Sequence, residues 1–211
     1  MAGEDWHPGV IGIVASRLIE RYFRPTVMIS IENGIGKGSA RSIPSFDLHS
    51  ALKSCSDLFI QFGGHKYAAG LTIEARNIPI FKERFNYITK NILSADDLIP
   101  KIYIDDDLNL EEITPELMRM MNSLAPFGPR NPRPSFKSDN VEIAGEPRVV
   151  GNKHLKFRVK QGEANLEAIA FNKGTEASRI KEQGTVNLVY TIEENQWMSR
   201  KSIQLRVKDI H

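Results

Sequence analysis

Hydrophobic and polar positions follow different periods in the two halves of the chain. Between residues 8 and 23, Ile11, Val14, Ala15, Leu18 and Tyr22 recur at helical spacing and form one stripe. This predicts a helix with Pro8 at an early position and Pro25 as its stop, with Arg17 and Arg21 elsewhere on its surface. The next run, TVMISIE, reads as a strand that reaches Asn33-Gly34, a dipeptide suited to a two-residue hairpin, so IGKGSARS is the expected return strand. A further helix over 46–58, a glycine-rich loop, a strand over 71–74 and a helix over 79–93 complete the first half, which is therefore α/β.

The second half opens with KIYIDDDL, a short strand pattern, followed by Thr114-Pro115-Glu116, an N-cap with proline at the first helical position. That helix is expected to end near Leu124. PFGPRNPRP has four prolines in nine residues and reads as an ordered loop or boundary. Beyond it the pattern alternates in VEIAGEPRVV, HLKFRVKQ, LEAIAFN, TVNLVYTIE and SIQLRVKDI, which predicts five strands over 140–210. Residues 174–183, with Ala177 and Ile180 at helical spacing, fall between the third and fourth. The order βββαββ is that of an OB-fold barrel. The expected organisation is an α/β substrate-binding domain over 1–95, an acidic connecting segment over 96–134 and an all-β OB-fold over 135–211.

Composition adds exclusions. Hydrophobic residues make up 41% and charged residues 26%, as in ordinary globular proteins, and no apolar run is long enough to span a bilayer. The opening residues MAGEDWHPG lack the basic and apolar regions of a secretory signal, so the expected location is cytoplasmic. Cys55 is the single cysteine; it excludes an internal disulfide and a multi-cysteine zinc site and is read as a packing residue. The net charge of +2 is uninformative, but its distribution is not. Residues 96–116 hold eight acidic and one basic residue, whereas 124–160 hold eight basic and three acidic. A basic stretch of that kind meets phosphates or is simply solvated.

Three segments carry candidate chemistry. In Phe62-Gly63-Gly64-His65-Lys66-Tyr67-Ala68-Ala69-Gly70, small residues on both sides of a histidine let backbone N–H groups and an imidazole approach an anion. A tight turn around a satisfied histidine is the alternative. In Gly36-Lys37-Gly38-Ser39-Ala40-Arg41-Ser42 a strand would point Lys37, Ser39 and Arg41 to one face, offering an ammonium, a hydroxyl and a guanidinium to phosphate oxygens. The alternative is a solvated strand face. Trp6-His7-Pro8-Gly9 stands at a helix N-terminus, an anion site or a hydrophobic staple.

In order and spacing, WHPGVIGIVASRL, GKGSARSIPSFDLHSAL and FGGHKYAAGLTIEA resemble the DHH-associated domain of bacterial RecJ exonucleases, and the LAPFGPRNPRP loop and OB-like barrel continue the resemblance. It implies a single-strand-specific DNA exonuclease acting from the 5′ end, in repair and recombination, with manganese or magnesium held by a separate DHH domain. No Asp-His-His stands in this sequence, and the Asp105-Asp106-Asp107 cluster lacks the histidines. The chain is therefore expected to be a fragment that binds substrate, holds no metal or other cofactor and cuts nothing by itself. By resemblance, Ser39 and Arg41 hold a phosphate near the 5′ end, with Lys37 beside them, and the Gly63-Gly64-His65 turn contacts the substrate. In the barrel, Arg148, Lys153, Lys156, Arg158, Phe171 and Trp197 are candidate contacts with the strand, while Phe157 shares the buried face of HLKFRVK. Single-stranded DNA is the expected partner, with a helicase and a single-strand-binding protein as further candidates and no membrane. Two other classes stay open: a plain single-strand-binding or protein-interaction module, and a DHH-type phosphodiesterase for oligonucleotides or cyclic dinucleotides.

Overall fold

The computed structural model describes residues 1–128, 130–197 and 200–211, with backbone only at 196, 197, 200 and 201. The chain divides into two compact units, Met1–Lys101 and Ile102–His211.

The first unit runs β1 (Ala2–Gly3), α1 (Ile11–Tyr22), β2 (Thr26–Glu32), β3 (Ile35–Arg41), α2 (Leu48–Lys53), β4 (Phe59–His65), β5 (Ala68–Glu74) and α3 (Ile78–Ile92). Its sheet has the order β1-β2-β3-β5-β4, parallel only at β1–β2. Asn33 and Gly34 both take left-handed φ, 50° and 77°, so the β2–β3 hairpin closes on the two residues expected. One sheet face buries Val27, Ile29, Ala40, Leu71 and Ile73 against Phe46, Leu48 and Leu52 around α2 and against Phe81 and Phe85 of α3. On the opposite face α1 packs Ile11 and Ala15 on Met28. The predicted stripe is wider than the real one, since Val14 and Tyr22 are exposed: α1 meets the sheet at Met28, Ser39 and Arg41, a patch too narrow to cover all five positions. The helix expected over 46–58 stops at Lys53, capped at its start by the Asp47 carboxylate, which accepts the Ser50 N–H.

The second unit runs β6 (Asp106–Asp107), α4 (Pro115–Ser123), β7 (Phe136–Ile143), β8 (Arg148–Val150), β9 (His154–Gln161), β10 (Ala164–Ala170), α5 (Ala177–Gln183), β11 (Thr185–Trp197) and β12 (Arg200–Ile210). The pairings β7–β11, β11–β12, β12–β10, β10–β9 and β9–β7 close a five-stranded barrel, parallel only at β10–β12. With α5 between the third and fourth barrel strands this is the OB-fold order. The core holds Leu155, Phe157, Val159, Ala168, Leu188, Tyr190, Ile192 and Leu205, with Ile180 of α5 among them.

Two expectations change here. VEIAGEPRVV is not one strand: β7 begins at Phe136, the chain turns at Gly145 with φ 80°, and β8 is separate. Residues 102–134, expected as a connecting segment, belong to the second unit. Their strand β6 pairs with β7, and Leu110, Ile113, Met118 and Met121 enter the barrel core. Burying four such side chains contributes on the order of 6–12 kcal/mol before chain entropy is set against it.

Candidate nucleic-acid interface

The site is read from sheet register. Residues directly paired across neighbouring strands point to the same side. Three consecutive rows therefore share the face that carries α1: Thr26, Arg41, Ala68 and His65; then Met28, Ser39, Gly70 and Gly63; then Ser30, Lys37, Thr72 and Gln61. The helix covers the β2 end of this face, and Gly12 of α1 lies against the side chains of Ser39 and Arg41. A Cβ at Gly12 would stand 3.2 Å from both Ser39 Oγ and Arg41 Nη2, so the glycine permits the close approach. Towards β4 the face is open, with Gly70, Gly63, Gln61 and His65 exposed.

Arg41 is held in place. Its Nη1 donates to Ser39 Oγ at 3.0 Å and to the Ala40 carbonyl at 2.9 Å, and no carboxylate is paired with it among the described residues. The remaining guanidinium donors have no partner among the described residues and suit two oxygens of an anion. Tyr67 N–H donates to His65 Nδ1 at 3.2 Å, so the neutral imidazole carries its proton on Nε2 and offers it outward. His7 is arranged likewise, accepting the Gly9 N–H on Nδ1 at 3.0 Å.

The expected Gly63-Gly64-His65 turn is corrected: these residues form the end of edge strand β4, paired with Gly70, Ala69 and Ala68. The turn itself is Lys66-Tyr67, whose carbonyls accept the Leu48 and Ser42 N–H groups at 3.1 and 2.9 Å. Gly64 has φ 149°, and a Cβ there would meet the Ala68 carbonyl oxygen at 2.4 Å. A side chain cannot be fitted at this position without moving the backbone. Sequence periodicity finds Lys37, Ser39 and Arg41, but not Gly12, Gly70, Thr72 and Gln61, because register between strands is not written in any one of them.

In the barrel, Arg148 on β8 pairs with Lys156 on β9, and Arg158 lies two residues on, so all three share its outer face. Lys156 is 3.2 Å from Glu167, and Arg158 Nε donates to Asn165 Oδ1 at 2.9 Å. Lys153 is exposed in the β8–β9 turn. Phe157 is buried, and the Trp197 side chain lies outside the described residues. Phe171 is 44% exposed, with Arg206 5.1 Å over its ring and His154 edge-on at 4.9 Å. His154 is a contact that sequence reading missed, since it follows from the β9–β10 pairing.

Among the described residues no three His, Cys, Asp or Glu side chains gather as a metal would require. Cys55 is fully buried, and burial pushes its thiol pKa up, away from the thiolate that reacts or ligates. No helix among the described residues is long and apolar enough to cross a membrane.

Comparison with known proteins agrees with both units. The DHHA1 domain family matches residues 1–91 and the RecJ OB domain family matches residues 104–209. The single-stranded-DNA-specific exonuclease RecJ of Bacillus subtilis is 39% identical over 212 residues, covering 99% of this chain and 27% of that protein. Its Escherichia coli counterpart is 32% identical, covering 98% of this chain and 37% of the relative. The crystal structure of RecJ in complex with Mn2+ from Thermus thermophilus superposes with a TM-score of 0.78 at 30% identity, covering 100% of this chain and 30% of that one. The chain thus spans between about a quarter and just over a third of the length of these curated relatives. Both units, their order and their folds place the chain in the RecJ family, as the part that carries its DHHA1 and OB domains.

Proposed function

We propose that this chain is the substrate-gripping part of a single-stranded-DNA-specific exonuclease, holding the strand while a separate metal-bearing domain cuts it. The observation that carries this reading is the open face of the first unit. There Arg41, oriented by Ser39, stands with Lys37 and His65 beside two glycines that leave the backbone approachable. Such a surface suits a narrow, flexible phosphodiester chain better than a compact ligand, which needs enclosing walls. The barrel supports the same reading, because OB-folds hold single strands through positive grooves and aromatic faces.

The geometry supports these residue roles. Arg41 supplies charge and direction to one phosphate, Ser39 orients the guanidinium and adds a hydroxyl, and His65 offers an Nε2 proton at the edge of the sheet. Gly63 and Gly70, paired in the Ser39 row, admit the strand against the backbone, while Gly64 falls in the alternate row with Ala69 and Ala40 and serves the packing of β4 on β5. Phosphodiester hydrolysis needs metal-activated water and charge neutralisation, which the partner domain supplies. The chain alone releases no nucleotides.

Fluorescence anisotropy with a labelled 5′-phosphorylated single strand and the matching duplex, across a salt series, tests this. The expected result is preference for the single strand, with affinity falling as salt rises because phosphate contacts release counterions. Arg41→Ala should weaken binding about tenfold or more, the range for a charge-assisted contact, without loss of fold. Equal affinity for both DNA forms, or an unaffected Arg41→Ala variant, would refute the gripping role.

A further inference from the structure

We infer that the row Lys37–Thr72–Gln61 is a second phosphate subsite, one nucleotide step from the Ser39–Arg41 site. This rests on the proposed reading of the face and adds to it two residues, Thr72 and Gln61, that nothing else assigns. The three side chains lie side by side on β3, β5 and β4, since Lys37 pairs with Thr72 and Thr72 with Gln61. Neighbouring strands stand about 4.8 Å apart, so an ammonium, a hydroxyl and an amide converge over about 10 Å. Among the described residues none of the three has a hydrogen-bond or ion-pair partner within the protein. Three adjacent polar groups on a half-open sheet face, with no mutual or neighbouring partner, are poised for an external ligand. Two are donors to an anion, and the hydroxyl is a third.

Position fixes which anion. Side chains on one face of a strand repeat about every 7 Å, so the Lys37 row stands that far from the Ser39 row and about 14 Å from the Arg41 row. That interval matches one step along an extended single strand. The Arg41 guanidinium reaches back to Ser39 Oγ, so a ligand phosphate held by both lies on the Ser39 row, and its neighbour one row on would meet Lys37 and Thr72, with Gln61 at its outer side. The tract stops there. On the next row of the same face stand Glu32 and Glu74, with Glu74 paired to Arg76. Glu74 is compensated by Arg76, but the Glu32 carboxylate, unpaired among the described residues, disfavours a third phosphate at that point, so the tract ends at the Lys37 row on this side.

The test uses the whole chain and single strands in which one backbone phosphate at a time is replaced by a neutral methylphosphonate. In the wild type, two adjacent positions near the 5′ end should each weaken binding about tenfold when neutralised. Arg41→Ala should abolish sensitivity at one of them. Lys37→Gln with Thr72→Val should abolish it at the other and leave the first intact, and Thr72→Ser should restore much of the loss. Gln61→Leu, at an exposed position, gives the same readout should Thr72→Val unfold. A scan in which only the Arg41 position matters, with Lys37 and Thr72 variants binding like wild type, would overturn the second subsite while leaving the gripping role standing. Insensitivity at every position, or no binding at all, would overturn both.

Discussion

Adjacent glycines on β4 should respond in opposite ways to the same substitution. At Gly64 a new methyl group would stand 2.4 Å from the Ala68 carbonyl oxygen and 2.5 Å from Ala69 Cα, both backbone atoms that cannot rotate aside. Its φ of 149° is also one that side chains rarely adopt. Backbone strain of about 1–3 kcal/mol and overpacking of about 1–3 kcal/mol together predict that Gly64→Ala destabilises the first unit by about 2–6 kcal/mol. At Gly63 a Cβ meets nothing within 4 Å. Gly63→Ala should therefore change stability by less than about 1 kcal/mol, in the favourable direction if unfolded-chain entropy dominates. Yet its methyl group would stand in the row of Ser39 and Gly70 and obstruct the strand. Hydrogen exchange read by peptide mass spectrometry separates the effects, with peptides from 59–74 reporting on β4 and β5 and peptides from 185–195 as internal reference. A loss of about 3 kcal/mol corresponds to roughly a 150-fold drop in protection. Gly64→Ala should show that drop, while Gly63→Ala keeps its protection and loses affinity for single strands. Equal protection in the two variants would refute the close contact at Gly64, and unchanged binding by Gly63→Ala would refute the open path over Gly63.

Two further outcomes follow from the barrel. Tyr190 is buried with its hydroxyl 2.7 Å from Ser138 Oγ, and burial pushes its pKa from 10.0 to about 12, against the opposing Ser138 hydrogen bond. A folded-state pKa above the unfolded one favours the protonated phenol. Its stabilisation is therefore complete below pH 10 and lost as pH rises through about 12. Urea unfolding between about pH 9 and 12 should show wild type losing about 2–3 kcal/mol more than Tyr190→Phe, and parallel curves would refute the assignment. Phe171→Ala should weaken single-strand binding by about 5- to 150-fold through loss of stacking, while Phe171→Trp retains it. Unchanged anisotropy for Phe171→Ala would remove the ring from the interface.

The sequence reveals whatever depends on local chemistry. The Asn33-Gly34 hairpin, the Thr114 cap that accepts the Leu117 N–H, and the period-two face of Lys37, Ser39 and Arg41 are all decided within a few residues. Gly63 and Gly64 mislead because glycine is depleted in strands; they belong to one only because β5 pairs with them, and at Gly64 that pairing leaves no room for a side chain. Tertiary packing likewise decides the fate of 102–134, where a two-residue strand and four apolar side chains are too little to predict membership of the barrel. Thr72 and Gln61 are ordinary polar residues in any one-dimensional reading. They become neighbours of Lys37 only once three strands are aligned, and a bulge between Phe59 and Gln61 sets that alignment on β4.

The two units differ in how their cations are engaged, and this bears on what each contributes to binding. On the barrel, Lys156 stands 3.2 Å from Glu167 and Arg206 3.3 Å from Glu193, so a phosphate arriving there must displace or share an ion pair. Exposed pairs are worth about 0–1 kcal/mol, so displacement costs little, but the gain from each phosphate is reduced by what was already paired. On the first unit, Arg41 and Lys37 have no carboxylate among the described residues to give up, and Arg41 is already oriented by Ser39. Arg148 and Lys153 on the barrel likewise have no ion-pair partner among the described residues, so both units keep cations available to a phosphate, and what sets Arg41 apart is that it is already oriented. The barrel adds the exposed Phe171 ring, with Arg206 over it and His154 edge-on, as the surface on which a base would stack in the proposed reading. In the proposed reading, charge recognition on the first unit does not depend on base identity, and stacking on a ring of the barrel is equally tolerant of sequence.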